Sequence, residues 1–367
     1  MSAILSSLGV GIVGCGRIAD LHELGYRGRT DARIAAVCDV NRRAAQARAA
    51  AWGVERVYTD YAQLLADPAV DLVELLVPHH LHAAMTIAAC RAGKHVSVQK
   101  PMALTVAEAE AMTAAAAAAG VTLRVYENFV FYPPYVRAKA LLESGAIGEP
   151  QMIRIHVNTG KSAAGWKVPL RAWVWRFDAA KAGGGPLVFD HGYHLFSLAY
   201  DFMGAAAEVS AWIDRTRVIP TKYVDAPATI MCRFKAPRRY GVFDFAHTPQ
   251  MEMDSRYYAD DNRVEIIGEK GIIQVNRCTA RTLDLPPLLL FRDGRTTAVP
   301  VERVEWRDSF SDCTRHLIDA LRQGGRPRLD GESGQHVLAF ALAAQHSSRL
   351  GRPVRPDEVR LLETQSK

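Results

Sequence analysis

The chain has 367 residues, 49% hydrophobic and 23% charged, with a formal net charge of +6. That balance belongs to a globular protein of one large or two ordinary domains. The arginines are scattered rather than gathered into a basic stripe, which argues against nucleic acid, and no apolar run nears the roughly 20 residues that span a bilayer.

The start, "MSAILSSLGVGIVG", has no basic n-region and leads into a glycine turn, so it reads as a strand rather than a signal peptide. Then "VGIV", "RIAAVC", "DLVELLV", "HVSV" and "TLRVYE" alternate with helical patterns. One helix begins near Ile18. Another, "NRRAAQARAAAWG", has an Asn start and a Gly stop, and a third runs from about Leu81 to Ala92 before Gly93. In "TVAEAEAMTAAAAAAG", Thr105 and Glu108 have the spacing of a capping box. Continuous apolar runs separated by helices predict a parallel sheet covered on both faces.

After "GAIGEP", residues 145–150, the rhythm changes. "QMIRIHV", "ATIMCRF", "GVFDFAH", "NRVEIIG" and "GIIQVN" alternate as antiparallel strands do, and a long helix stopped by Gly351 closes the chain. The expected fold is an α/β Rossmann domain, residues 1–125, and a C-terminal α+β domain, residues 126–367, built on a large, mostly antiparallel open sheet. The six cysteines, Cys15, Cys38, Cys90, Cys232, Cys278 and Cys313, form no CxxC pair and no metal-ligand spacing, which fits a cytoplasmic protein without a metal.

"GIVGCGRIADLH" sets Gly14, Gly16 and Ala19 in a G-x-G-x-x-A pattern between a strand and a helix. Such a turn lets a pyrophosphate approach free backbone N–H groups. Asp39 ends the second strand, where an acidic side chain takes the adenosine ribose hydroxyls and repels a 2'-phosphate. NAD is expected over NADP, although Arg42 and Arg43 lie close by.

"GKHVSVQKPMAL" ends a short buried strand in Gln99, Lys100 and Pro101, at the carboxyl edge where open α/β sheets bind ligands. "GGGPLVFDHGYHLFSLAYD" places Asp190 and His194 four apart, on one face of a helix. A Lys, an Asp and a His beside a nicotinamide would form a proton-handling set for oxidising an alcohol.

The turn at Gly14, the E-K-P-like "QKP" and the "GGG…D-x-G-x-H" segment, in this order, make the chain resemble the Gfo/Idh/MocA family. That family is named for glucose-fructose oxidoreductase, inositol dehydrogenase and a rhizopine-catabolism protein. The resemblance implies NAD(P)-dependent redox chemistry on sugars or cyclic polyols, in homodimers or homotetramers built through open sheet faces. It makes Lys100 the strand-end catalytic lysine and Asp190 and His194 the acid/base pair. Gln99 departs from the motif glutamate, and Pro186 stands where a third glycine is usual. An amide supports the charged form of Lys100 less than a carboxylate would. Gln99 either tunes the lysine in this way or simply bonds a neighbouring strand.

The residues expected at the cofactor are Gly14, Gly16, Arg17, Ile18, Asp39, Arg42, Pro78, His79, His82, Gln99 and Lys100. His82 is expected to face the cofactor side of a helix start, and the cluster His79, His80 and His82 lacks acidic or thiol partners for a metal. At the substrate, Tyr132, Trp166 and Lys167 join Lys100, Asp190 and His194, since aromatic faces stack on sugar C–H surfaces. The expected reaction oxidises a ring secondary hydroxyl of a sugar, glycoside or inositol, with oxidation at C3 of a glycoside as one form. The alternatives are a redox-assisted glycosidase with recycling NAD and a non-catalytic nucleotide-binding regulator.

Overall fold

A computed structural model of the chain describes residues 7–166 and 173–365. It contains two compact units, Met1–Asn128 with Ser309–Gln335, and Phe129–Asp308 with His336–Lys367.

The first unit holds six strands, β1 (Leu8–Val13), β2 (Ala32–Cys38), β3 (Arg56–Tyr58), β4 (Leu72–Leu75), β5 (His95–Gln99) and β6 (Leu123–Tyr126). They form a parallel sheet in the order β3-β2-β1-β4-β5-β6. β1 lies between β2 and β4, with Val10 opposite both Ile34 and Leu72. The strand order turns back between β1 and β4, so a crevice opens at their carboxyl ends. Between strands run α1 (Ala19–Glu23), α2 (Arg42–Trp52), α3 (Tyr61–Ala66), α4 (His82–Arg91) and α5 (Val106–Ala119). Asn41 caps α2 by accepting from the Arg43 and Ala44 N–H groups, and Gly53 ends it in a left-handed turn. At α5 the Thr105 hydroxyl accepts from Glu108 N–H, while Glu108 reaches one residue further back, to Leu104 N–H.

The apolar strands bury both sheet faces. Val10 and Ile12 pack with Tyr26, Leu317 and Ile318, while Val37 packs with Ala45 and Ala49. Each fully buried Leu or Ile contributes about 1.5–3 kcal/mol relative to exposure. Leu317 and Ile318 sit on the helix Asp308–Gln323, so the stretch Ser309–Gln335 belongs to the first unit rather than to a second domain covering all of 126–367. The buried stripe Phe310, Cys313, Leu317 and Ile318 says that this helix has an apolar face. It does not say which sheet that face covers, and this is why the sequence misassigned it.

The second unit is built on an eight-stranded sheet. The strands Pro150–Lys161 and Tyr240–Glu252 are parallel neighbours, and the remaining pairs are antiparallel. Alternation sets the faces: the strand Ala228–Phe234 buries Ala228, Ile230, Cys232 and Phe234 and exposes the residues between. On the covered face Phe243 meets Phe196 of the helix Gly192–Met203 and Phe340 of the helix Gly331–Leu350, with ring centroids 5.4 and 5.9 Å away. Outward positions carry Trp212, Met231 and Tyr240. All six cysteines are buried free thiols. Among the described residues no helix is long and apolar enough to cross a membrane.

Candidate active site

Gly14 closes β1 with φ +98°, and a Cβ there would stand 2.3 Å from the Leu76 carbonyl oxygen. Only glycine fits this turn. Gly16 next to it has open space where a side chain would be. Asp39 accepts from the Cys15 and Asn41 N–H groups at 2.8 Å each, one on each oxygen. Each oxygen keeps a lone pair for a ribose hydroxyl. Arg48 steadies the turn from α2, pairing with Asp20 at 2.8 Å and donating to the Gly16 carbonyl at 3.4 Å. A bare turn and a placed carboxylate fit a pyrophosphate and an adenosine ribose. Arg17 and Arg42 are exposed, and Ile18 and Pro78 are half-buried, at the first residues of their turns.

At the next strand ends, His82 is fully buried. Its Nδ1 lies 2.8 Å from the Pro101 carbonyl oxygen and its Nε2 2.9 Å from that of Val77. The ring ties the corner after β5 to the corner after β4. This corrects the expectation that it faces the cofactor, because both ring nitrogens face backbone. His79 is buried beside it, 5.6 Å between centroids.

Gln99 ends β5 with its Oε1 accepting the Lys100 N–H at 3.1 Å and its Nε2 2.8 Å from His22 Nε2. Its partner therefore lies on α1, not on a neighbouring strand. The Lys100–Pro101 peptide is cis, and Lys100 is half-buried.

In the second unit the "GGG" segment leads into a π-helical stretch, Pro186–His191, in which Asp190 N–H donates five residues back to Gly185 at 3.1 Å. Asp225 caps its start, accepting from Leu187 N–H at 2.7 Å, Val188 N–H at 2.9 Å and Phe189 N–H at 3.3 Å. A Cβ on Gly185 would sit 2.0 Å from the Asp225 carboxyl carbon, which explains the glycine. Burial raises the Asp225 carboxyl above its usual range, with the three N–H bonds opposing that shift.

Asp190 and His194 are both buried. Arg176 donates to Asp190 at 2.8 Å and lies over the Trp175 ring. His194 stacks flat on Phe129, centroids 4.0 Å apart at 7°. His191 stands 5.7 Å from His194 and 3.3 Å from the Asn262 amide oxygen. The unit thus holds an ion-paired acid and a plane-locked imidazole one helical turn apart in sequence.

Tyr132, expected at the substrate, is core instead. It is fully buried, with its hydroxyl donating to the Val304 carbonyl at 2.9 Å. An aromatic sequence cluster does not distinguish a buried ring from a stacking platform. Trp166 joins Tyr257, Tyr258 and Trp306 in an edge-to-face cluster with centroids 5.4 to 6.3 Å away. Lys167 lies outside the described residues. Among the described residues no group of His, Cys, Asp or Glu is arranged to hold a metal ion.

Sequence reasoning missed His22, Arg48, Glu74, Arg124 and Asp225. The signal for two of them was present: Glu74 interrupts "DLVELLV" and Arg124 interrupts "TLRVYE", and a charge inside a buried parallel strand needs a reason.

Two family models match this chain. Residues 8–127 match an oxidoreductase family with an NAD-binding Rossmann fold, and residues 135–274 match the GFO/IDH/MocA C-terminal domain. A D-apiose dehydrogenase of Paraburkholderia graminis is 29% identical over 365 residues, covering 97% of this chain and 90% of that one. The myo-inositol 2-dehydrogenase of Thermotoga maritima is 28% identical over 354 residues, covering 95% and 99%. Among solved structures, an oxidoreductase from Agrobacterium radiobacter in complex with NAD+, L-tartaric acid and magnesium superposes with a TM-score of 0.80. It is 25% identical, and the match covers 96% of this chain and 99% of that one. With both unit types matched, the chain belongs to the Gfo/Idh/MocA family of NAD-binding oxidoreductases.

Proposed function

We propose that this chain is an NAD-dependent dehydrogenase that oxidises a ring secondary hydroxyl of a sugar or cyclic polyol to the ketone. The observation that carries the reading is the buried pair of proton-handling side chains in the second unit, Asp190 held by Arg176 and His194 stacked on Phe129. Buried titratable groups held by specific charge and ring partners are the arrangement that proton-handling sites use. Relatives named as dehydrogenases of apiose and of myo-inositol support a polyhydroxylated substrate.

Bound NAD+ supplies the hydride acceptor, and the chain's own residues handle the alcohol and its proton. His194 takes the hydroxyl proton, since an imidazole titrates near working pH and stacking on Phe129 fixes its plane. Asp190 orients the hydroxyl, and the Lys100 ammonium stabilises the oxygen as negative charge develops on it. The roles of His194 and Lys100 are separable by variant: loss of the base removes the acid limb of the pH–rate profile, whereas loss of the alkoxide stabiliser lowers kcat at every pH.

The finer reading is oxidation at C3 of a glycoside. It is supported by the aromatic cluster around Trp166, whose rings suit the C–H face of a pyranoside or an aryl aglycone. The test is a panel of inositols, free pentoses and hexoses, and aryl glycosides with excess NAD+, followed by NADH absorbance. Ketone formation matched mole for mole by NADH supports the reading. Release of aglycone without net NADH points instead to redox-assisted glycoside cleavage.

A further inference from the structure

The first unit contains a directed chain of polar contacts that the proposed chemistry does not use. It begins at the Lys100 backbone N–H, which can only donate. That N–H points at Gln99 Oε1 at 3.1 Å, and this fixes the orientation of the amide. Gln99 Nε2, now necessarily the donor end, lies 2.8 Å from His22 Nε2. His22 Nε2 must therefore be a bare acceptor, so the single proton of a neutral ring sits on Nδ1. Nδ1 faces Glu74 Oε2 at 3.3 Å. That last contact is an ion-pair distance without hydrogen-bond alignment, and Nδ1 has no hydrogen-bond partner elsewhere, while Glu74 is also faced by the Tyr26 phenol and by Arg124.

The surroundings seal the inner part of this chain from water, while Gln99 at its outer end is half-buried. His22, Glu74 and Arg124 are fully buried. The Tyr126 ring covers His22 at 3.9 Å between centroids, and Phe310 stands at 5.6 Å. Arg124 Nη2 is 4.0 Å from Glu74 Oε1. The Tyr26 phenol is held well above its ordinary range by burial and by the Glu74 charge, so it does not take over the role of anion. Arg124 also bonds Ser97 at 3.2 Å and the Cys313 carbonyl at 2.7 Å, which fixes the cation.

We propose that Glu74, His22 and Gln99 form a buried relay that positions Lys100, and that Glu74 stands in for the carboxylate that the E-K-P pattern places at residue 99. The acid has moved to the far side of the same imidazole. With glutamine at 99 and glutamate at 74, a neutral His22 satisfies both neighbours. With glutamate at both positions, each carboxylate demands a ring N–H, and His22 must carry two protons inside a sealed core. Lys100 is a catalytic residue under the proposed function, and the relay rests on that reading. The relay members are positioning residues.

The test uses full-length protein labelled with 15N-histidine, with the His22 ring signals assigned by their loss in His22→Gln. Wild type is expected to show Nδ1 protonated and Nε2 bare at neutral pH. Gln99→Glu is expected to show both nitrogens protonated, with kcat lowered about tenfold and the KM for NAD+ within about twofold. The exchange variant Gln99→Glu/Glu74→Gln is expected to show the reverse tautomer, Nε2 protonated, and to recover most of the lost kcat. A wild-type ring protonated at Nε2, an unchanged ring pattern in Gln99→Glu, or an exchange variant whose losses simply add would each overturn the relay. Lys100→Met separates the two claims. If it keeps turnover, the catalytic reading fails whatever the ring signals show. If it is inactive while the His22 tautomer is wrong, the relay alone fails.

Discussion

Arg176 Nε donates to Asp190 Oδ2 at 2.8 Å, joining a side chain that is 30% exposed to one that is 6% exposed. The pair straddles the edge of the unit: the guanidinium is partly hydrated while the carboxylate is almost wholly withdrawn from water. Removing the arginine leaves a withdrawn charge without its partner. Arg176→Met should cost about 1–3 kcal/mol, below the value for a fully buried pair because solvent already screens the arginine. Sugar oxidation should fall at least about tenfold with NAD+ affinity unchanged, since the pair belongs to the substrate side of the proposal. Thermal melts and initial rates on one preparation check both.

Asp225 holds the segment that carries Asp190 through three backbone N–H groups. In Asp225→Asn an amide N–H₂ must face a backbone N–H, leaving at least one buried donor without an acceptor. The expected loss is about 1–3 kcal/mol, with kcat reduced and cofactor binding retained. Gly185→Ala should copy the effect from the other side by driving a methyl group into the same carboxylate. Agreement between the two variants in kcat at equal NAD+ affinity is the measurement.

Two histidines of the first unit accept a backbone N–H on a bare ring nitrogen: His95 from Thr122 at 3.0 Å and His316 from Arg328 at 2.8 Å. Burial, the largest cause for each, holds both below the ordinary histidine value. A depressed folded pKa gives stability that is present above the unfolded value, about 6.5, and is lost as pH falls through the folded value. The chain should therefore lose stability on acidification below about pH 6.5, by up to about 1.4 kcal/mol per pH unit for each proton taken up. His95→Gln/His316→Gln should flatten that slope in denaturant melts run at stepped pH.

Asp39 both pins the glycine turn and offers lone pairs to a ribose. Asp39→Ala removes both, so NAD+ should bind at least about tenfold more weakly, and the preference over NADP+ should narrow as the repulsion of a 2'-phosphate disappears. Asp39→Asn, which keeps one acceptor oxygen, should fall between the two. Titration of each nucleotide by intrinsic fluorescence checks the order.

Much of this arrangement was legible because it follows local rules. Continuous apolar runs with capped helices between them gave the parallel sheet, and strict alternation gave the second one. What escaped was non-local. The face of Asp308–Gln323 is readable, but the sheet it covers is not. Tyr132 and Trp166 look alike as aromatics in sequence, yet one is sealed in the core and the other joins a half-buried cluster. His82 stood at a helix start as expected, but its ring turned to two carbonyls that no spacing rule announces. Asp225 and Gly185, forty residues apart, acquire their meaning only when the chain brings a carboxylate against the bare backbone.

The central claim is that a polyhydroxylated ring is oxidised with NAD+ by way of Lys100, Asp190 and His194. The measurement that tests it most directly is NADH formation with excess NAD+ across inositols, pentoses, hexoses and aryl glycosides, run beside Lys100→Met. The account predicts at least one compound giving NADH in amounts far above the protein concentration, with turnover lost in Lys100→Met and NAD+ binding kept. Turnover equal in the wild type and Lys100→Met, or no NADH with any polyol from protein that binds NAD+, would contradict it.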